Sequence, residues 1–494
     1  MKYIISIDGG IDKIQVVLFD LLGHEIDKTS TYVDIVAEGN RRETDMENYY
    51  YRATTAVARL VKQSEVPVDD VVAIGLTGQS GGLWTIDREG GVLTNAILNT
   101  DKRAFDDAQA VNQKTPGIGR MLHRNLGTPV DAGSTVMLLK WMKAHCLDIY
   151  RSIGTVFSAK DWLHYQMTGD IATEPTDGAN IALRLGADAQ AEEVLTVLGI
   201  PELKRWMPAV KKSMSTGGFL LASEAKKMRL ESGIPVVMGL SNAAAGAMGS
   251  CAIEDKTLSI VLDRQSTALI VQKPQRVDLN RGRGHYIRHG DEGLVINRII
   301  SSGGTGSIDW MMREIARTSN IRTVESIIAE EAPGSGGLIF HPYITVGADG
   351  AMGSYFGMTA STSKARLMRA VYEGIGYDVR DSLETGGYRG RIFLSGKGAE
   401  SILLPQIIAD ITASEVVVFS GTALQARGAA MAAAVAIGMA DTCHDAAKSF
   451  CRVHKIYRPH HQPIYEKGYG MYKKLKNTFM PLWQEHGEMF DVEI

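Results

Sequence analysis

No run of eighteen or more apolar residues occurs in the chain, so a membrane-spanning helix is not expected. The N-terminal stretch is apolar but short, and Asp8 interrupts it, which is not the pattern of a secretory signal. Cysteine is scarce. Cys146, Cys251, Cys443 and Cys451 are scattered, and no two have the spacing of a metal or redox motif. Reduced thiols in a cytoplasmic protein are the simpler expectation. Positive charge is not in excess either. A formal net charge of -3 gives no basic field for nucleic acid and no polybasic membrane patch. Neither nucleic acid nor membrane is expected as a partner.

What is present is the composition of a soluble globular protein, 45% hydrophobic and 22% charged. At 494 residues the chain is too long for one ordinary core, so two domains are expected, 1–252 and 253–494. In the first, short strands at 3–8 and 14–20 flank a Gly pair, and 44–64 has a helical pattern. A buried-strand pattern at 71–76 runs into the loop Thr77-Gly78-Gln79-Ser80-Gly81-Gly82, and 137–145 reads as an amphipathic helix. In the second, strands at 257–262 and 268–271 give way to helices at 363–386 and 402–413. The Ala-rich 423–438 is apolar on most faces and reads as a buried helix. Residues 454–466 read as an irregular connection to a last helix ending near Trp483, with His460 and His461 as surface histidines. Alternating strand and helix signals argue for α/β layers, and each half opens with strand–turn–strand.

The stretch "SIDGGIDKIQ", residues 6–15, begins as a phosphate-gripping hairpin does, with a strand and a Gly pair. It then offers Ile11, Asp12 and Gln15 where small hydroxyl residues and a base are normal.

Several longer stretches resemble the FGGY family of carbohydrate kinases, most closely its pentulose branch. "SYFGMTASTSKARLMRAVYEGIGYDVRD", 354–381, is similar to the family's C-terminal signature, although Arg366 departs from it. "GSTVMLLKWMKAH", 133–145, resembles the N-terminal one, with Trp141 in register and Leu138 where many members carry Lys. "SAKDWLHYQMTGD", 158–170, resembles a further family segment, and its Lys160-Asp161 is either a substrate contact or, the reading preferred here, helix-start charge. The likeness covers nearly the whole chain in order. It implies an α/β fold of two ribonuclease-H/actin-like domains around a central cleft. It also implies ATP, with Mg²⁺, as cofactor, and a small-molecule sugar or polyol that receives the γ-phosphoryl group. Such kinases are commonly dimers, so a homodimer is a further implication.

Mapped by this resemblance, Gln79, Ser80, Asp101 and Arg103 lie on the sugar side, with a loop salt bridge as the plain alternative for Asp101 and Arg103. Asp8 either organises Mg²⁺ or caps the tight turn. Trp84, inside a strand, is read as core. Asp8, Gly10 and Asp12 form the first phosphate stretch, Asp263 and Arg264 the second, and Gly396 and Gly398 the adenosine stretch, with Gly306 grouped among the nucleotide residues.

Four stretches differ from the family pattern. Ile11, Asp12 and Gln15 replace small, hydroxyl and basic residues, and alternation puts Lys13 on the face opposite Asp12. Asn242 stands where the family has its catalytic Asp, and an amide cannot accept the proton of the attacking hydroxyl. Asp263 replaces a Gly at the second phosphate turn, and Lys397 the middle Gly of the adenosine stretch. These changes act on phosphate grip, base and nucleotide access together. The expectation is a kinase homologue with weak or lost transfer. Its alternatives are a kinase using Asp12 or Asp263 as substitute base or metal ligand, a sugar-binding or regulatory protein, and an actin-like assembly protein.

Overall fold

The computed structural model describes residues 1–114, 116–279, 284–345 and 350–490. Strand Tyr3–Gly9 buries Ile4, Ile5, Ser6 and Ile7 completely because it is flanked on both sides. It pairs antiparallel with Lys13–Asp20 and parallel with Val71–Gly78. A strand covered on both faces reads as a near-continuous apolar run, as this one does. The sheet runs in the order Thr216–Phe219, Pro235–Val237, Val71–Gly78, Tyr3–Gly9, Lys13–Asp20, Glu25–Tyr32. The short strand Leu240–Ser241 also pairs with Val71–Gly78.

Helix Met46–Ser64 starts at Asp45, whose carboxylate accepts the Asn48 N–H at 2.7 Å, and stops at Glu65 in the left-handed region. Tyr49, Ala53, Val57 and Leu60 recur at helical spacing and fill the core beneath the sheet.

The chain forms two compact units. The first is Met1–Asp255 with Val271–Ile296 and Ala423–Arg452, and the second is Lys256–Ile270 with Asn297–Thr422 and Val453–Ile494. Residues 423–452 therefore pack with the first unit, away from their neighbours in sequence. The cause is the Ala-rich helix Leu424–Ala436, which is buried as its composition demands. It crosses helix Asn242–Gly249 where glycines let the backbones touch. A Cβ on Gly249 would lie 1.9 Å from the Leu424 carbonyl, and one on Gly428 would lie 2.0 Å from that of Ala245.

In the second unit the sheet runs Val295–Ser301, Ser266–Gln272, Thr257–Leu262, Ile392–Ser395, Val416–Phe419, Val453–Tyr457. Helix Lys364–Thr385, capped by the Ser363 hydroxyl, packs on Leu404–Thr412. The expected irregular connection at 454–466 is in part a strand: Val453–Tyr457 pairs antiparallel with Val416–Phe419. It is an edge strand exposed except at Tyr457, so no apolar run marks it. Pro463 then opens a helix that runs to Met489, beyond the end expected near Trp483.

Buried His289 ties its turn together as a neutral ring. Its Nε2 is 3.1 Å from the Ala252 carbonyl, and its Nδ1 accepts the Asp291 N–H at 3.0 Å. Burial pushes its pKa down to about 4. A depressed histidine leaves stability intact above about pH 6.5. Stability is lost as pH falls towards the folded value, because the unfolded ring takes up the proton first. The expected loss is up to about 1.4 kcal/mol per pH unit across that window. Urea unfolding at pH 7 and pH 5 checks it: His289→Gln should flatten the dependence, and an unchanged slope would contradict the assignment.

Candidate functional site

Three parallel strands end side by side in the first unit. Asp8 pairs with Thr77, Leu240 with Thr77, and Ser241 with Gly78. The register therefore gathers Asp8, Thr77, Gln79 and Asn242 at the carboxyl ends of these strands, where open α/β sheets bind their ligands. Asn242 opens helix Asn242–Gly249, and its Oδ1 accepts the Thr77 hydroxyl at 3.1 Å. The Ser241 N–H donates to the Thr176 hydroxyl at 2.8 Å, which fixes the approach to that helix.

Asp8 has one buried oxygen, Oδ1, without a hydrogen-bond partner. Burial pushes its pKa up to about 7, and the Lys13 ammonium pulls the other way. Lys13 is thus a cation that acts on Asp8. Hairpin alternation addressed only its face relative to Asp12. The turn beyond Asp8 is short: the Gly10 N–H donates to the Asp8 carbonyl at 3.1 Å, and the Tyr49 hydroxyl donates to the Gly10 carbonyl at 3.1 Å. Ile11 packs against the core of this unit, Asp12 is exposed, and Gln15 lies opposite Asp8 in the ladder.

Gln79 is 2% exposed, and its amide makes no hydrogen bond of good geometry, although the Tyr49 ring is its neighbour. The loop after it, Ser80-Gly81-Gly82, is closely packed. Gly81 and Gly82 have φ of +74° and +75°, the Ser80 carbonyl accepts from Asn99 Nδ2 at 2.8 Å, and a Cβ on Gly133 would meet the Asn99 carbonyl at 1.8 Å. Trp84 is buried core, edge-on to Tyr49 with ring centroids 4.9 Å apart.

Asp101 and Arg103 form an ion pair that is largely buried. Asp101 Oδ1 accepts the backbone N–H and Nε of Arg103 at 2.9 and 2.8 Å. Its Oδ2 accepts the Arg42 N–H at 2.7 Å and Arg103 Nη2 at 2.8 Å. A carboxylate has about four acceptor sites, and all are engaged. All four donors to Asp101 thus come from Arg42 and Arg103, the arrangement of the loop salt bridge that was one of its two sequence readings. Arg103 also binds Glu43 at 2.6 Å and lies over the Trp141 ring.

Beneath the strand ends lies a charged network buried in full. Lys160 Nζ contacts Asp161 Oδ1 at 2.6 Å and Glu174 Oε1 at 3.1 Å. Glu174 accepts the Thr176 N–H and hydroxyl, each at 2.7 Å, and the Ser213 hydroxyl at 2.6 Å. Asp161 closes a capping box with Ser158 and accepts the Thr173 hydroxyl at 2.8 Å. The chain from Lys160 through Glu174 and Thr176 thus reaches Ser241, next to Asn242.

The second unit joins its corresponding stretches directly. Asp263 Oδ1 accepts the Lys397 N–H at 2.9 Å, and the Asp263 carbonyl accepts the Thr305 N–H at 2.7 Å. The Arg264 carbonyl accepts the Gly306 N–H at 3.2 Å. Gly396 has φ +78°, and a Cβ there would lie 2.8 Å from Asp263 Oδ1. A Cβ on Gly398 would lie 2.5 Å from Leu262 Cδ2. The side chains of Asp263, Arg264 and Lys397 are exposed.

Residues 3–249 match the N-terminal domain, and residues 266–437 the C-terminal domain, of the FGGY family of carbohydrate kinases. The chain belongs to that family. Xylulose kinase of Bacillus subtilis (strain 168) is 26% identical over 488 residues, covering 96% of this chain and 97% of that protein. L-xylulose/3-keto-L-gulonate kinase of Escherichia coli (strain K12) is 27% identical over 449 residues, with 88% of each chain covered. The crystal structure of ligand-bound xylulose kinase from Lactobacillus acidophilus has the same fold, with a TM-score of 0.88 at 20% identity over 98% of this chain and all of that one.

Within this FGGY kinase homologue, sequence reasoning missed Thr77, Tyr49 and the Glu174–Thr176 link. Thr77 had a signal, since it opens the Gln79 loop at the end of a buried-strand pattern. The others had none: Tyr49 sits at an ordinary core position of its helix, and Thr176 acts through contacts distant in sequence. No helix among the described residues is long and apolar enough to cross a membrane, and they hold no cluster of three metal-ligating side chains.

Proposed function

We propose that this FGGY family member binds a pentulose or related polyol in its first unit and transfers phosphate weakly or not at all. The observation that carries the reading is Asn242. Its amide already accepts the Thr77 hydroxyl, at the position where the family pattern has a catalytic carboxylate. An amide orients a hydroxyl but takes no proton from it. Removal of a general base lowers a rate by about 10²–10⁴-fold.

The fit to Mg-ATP is divided. The unpartnered Asp8 oxygen suits a hydrated Mg²⁺. Asp12 puts an exposed carboxylate in the turn after Gly10, where a phosphate would need donors. In the second unit Asp263 occupies the Lys397 N–H and puts an anionic group at the turn, so this stretch does not fit a polyphosphate. On the sugar side, the buried Gln79 amide is the group best suited to bind a ligand hydroxyl, because it is otherwise unsatisfied. Asp101 and Arg103 hold the loop.

Thermal unfolding with a panel of pentuloses and polyols, with and without Mg-ATP, tests this. A rise in melting temperature is expected from one sugar class, with little from Mg-ATP and no sugar-dependent ADP. ADP formation that depends on one sugar, at the rate of an ordinary kinase, would overturn the loss of transfer. No shift from any sugar would overturn the binding reading.

A further inference from the structure

Two cysteines distant in sequence meet at the ends of two helices of the first unit. Helix Asn242–Gly249 ends at Ser250, and Cys251 follows with φ +65°, a left-handed conformation uncommon for a residue with a side chain. The Cys251 N–H donates to the Met248 carbonyl at 2.9 Å. The Cys451 thiol points at the same carbonyl from 3.9 Å and at that of Gly249 from 4.0 Å. Cys451 in turn caps helix Cys443–Phe450, its N–H donating to the Ala447 carbonyl at 2.8 Å. The Cys251 backbone N–H and the Cys451 thiol thus meet at one carbonyl, and the two thiols lie within hydrogen-bonding reach of each other.

Their surroundings make them unequal. Arg427, 1% exposed, donates Nη1 to the Gly249 carbonyl at 3.0 Å and borders both sulfurs. The hydrogen bond from Cys451, with the Arg427 cation, holds the Cys251 thiol below its ordinary value, while Cys451 is pushed well above. Neither cysteine is fully buried. Cys146 and Cys443 lie apart from this pair, and the Cys443 thiol faces Asp291 at 3.7 Å, where burial pushes it up to about 12.

We propose that Cys251 and Cys451 are a peroxide-reactive pair that closes to an internal disulfide across the two helix ends. The Cys251 thiolate attacks one oxygen of hydrogen peroxide. The O–O bond breaks, and hydroxide leaves and takes up a proton as water. Cys451 then gives up its proton and attacks the sulfur of the resulting sulfenic acid. The S–O bond breaks and the second oxygen leaves as water. In sum, two thiols and one peroxide give one disulfide and two waters, and a dithiol reductant reverses the change. The closed pair ties the far end of the Asn242 helix to residue 451.

The test is peptide mapping of the full chain after mild hydrogen peroxide, without reduction. The expected result is a Cys251–Cys451 cross-linked peptide and joint loss of alkylation at both positions. Cys146 should stay alkylatable, and dithiothreitol should restore the original map. Cys451→Ser should trap Cys251 as a sulfenic acid that a dimedone probe labels. Full alkylation of both cysteines after peroxide would overturn the proposal, as would a cross-link formed only between chains. The wild-type map decides the matter even where a serine variant folds poorly.

Discussion

Lys160→Met is expected to lower the stability of the first unit by about 3–5 kcal/mol, the usual cost of removing one partner from a buried ion pair. The lysine is 1% exposed, and its ammonium faces Asp161 and Glu174, themselves buried. Their attraction holds its pKa up against burial, which alone would lower it. Asp177 lies close enough to share the same field, and burial has already pushed its pKa up to about 7. Methionine matches the stem but leaves these carboxyls without a cation. They must then protonate or draw in water. Urea unfolding measures the loss. Lys160→Met with Glu174→Gln should recover part of it, because the uncompensated charge is then smaller. A loss below about 1 kcal/mol, or no recovery in the double variant, would mean that water already screens the network.

Phosphoryl transfer is expected to need several reversions at once. Asn242→Asp alone should give no sugar-dependent ADP above the unaltered protein, since the phosphate stretches keep Asp12 and Asp263. The combined variant Ile11→Thr, Asp12→Ser, Asn242→Asp, Asp263→Gly should exceed the same set without Asn242→Asp by about 10²–10⁴-fold, the usual contribution of a general base. Coupled-assay rates with the sugar that stabilises the protein provide the comparison. Activity restored by Asn242→Asp alone would show that the hairpin at residues 8–15 still grips phosphate, and that the amide is the one lesion.

The parts legible from sequence share one property, that their physics is local. Tyr3–Gly9 and Val71–Gly78 announce themselves because strands covered on both faces are apolar throughout. Leu424–Ala436 does so because a helix apolar on every side must be buried. Val453–Tyr457 stayed hidden because an exposed edge strand carries no such pattern. The site was legible only in part, for the same reason. Resemblance put Asp8, Gln79 and Asn242 in one candidate set. That Thr77 supplies the hydroxyl on Asn242 depends on strand register, which no local window contains. Sequence leaves Asp101 open between a sugar contact and a loop salt bridge, because its four donors come from Arg42 and Arg103 and burial of a carboxylate is invisible in sequence. The cysteine pair is the extreme case, since two helix ends bring together residues that sequence spacing keeps far apart.

The contact between Gly249 and Leu424 also constrains the order of assembly. A ribosome delivers residues 1–255 long before residues 424–436, yet these form one unit. Until the later helix emerges, the glycine face of Asn242–Gly249 and the strand position at Gly75, which abuts the Ala429 carbonyl, have nothing to pack on. The nascent chain must therefore keep an apolar surface uncovered through most of its synthesis, a state that invites chaperone binding. A gene fragment ending near residue 255 would carry every strand of the first sheet and still lack its lid.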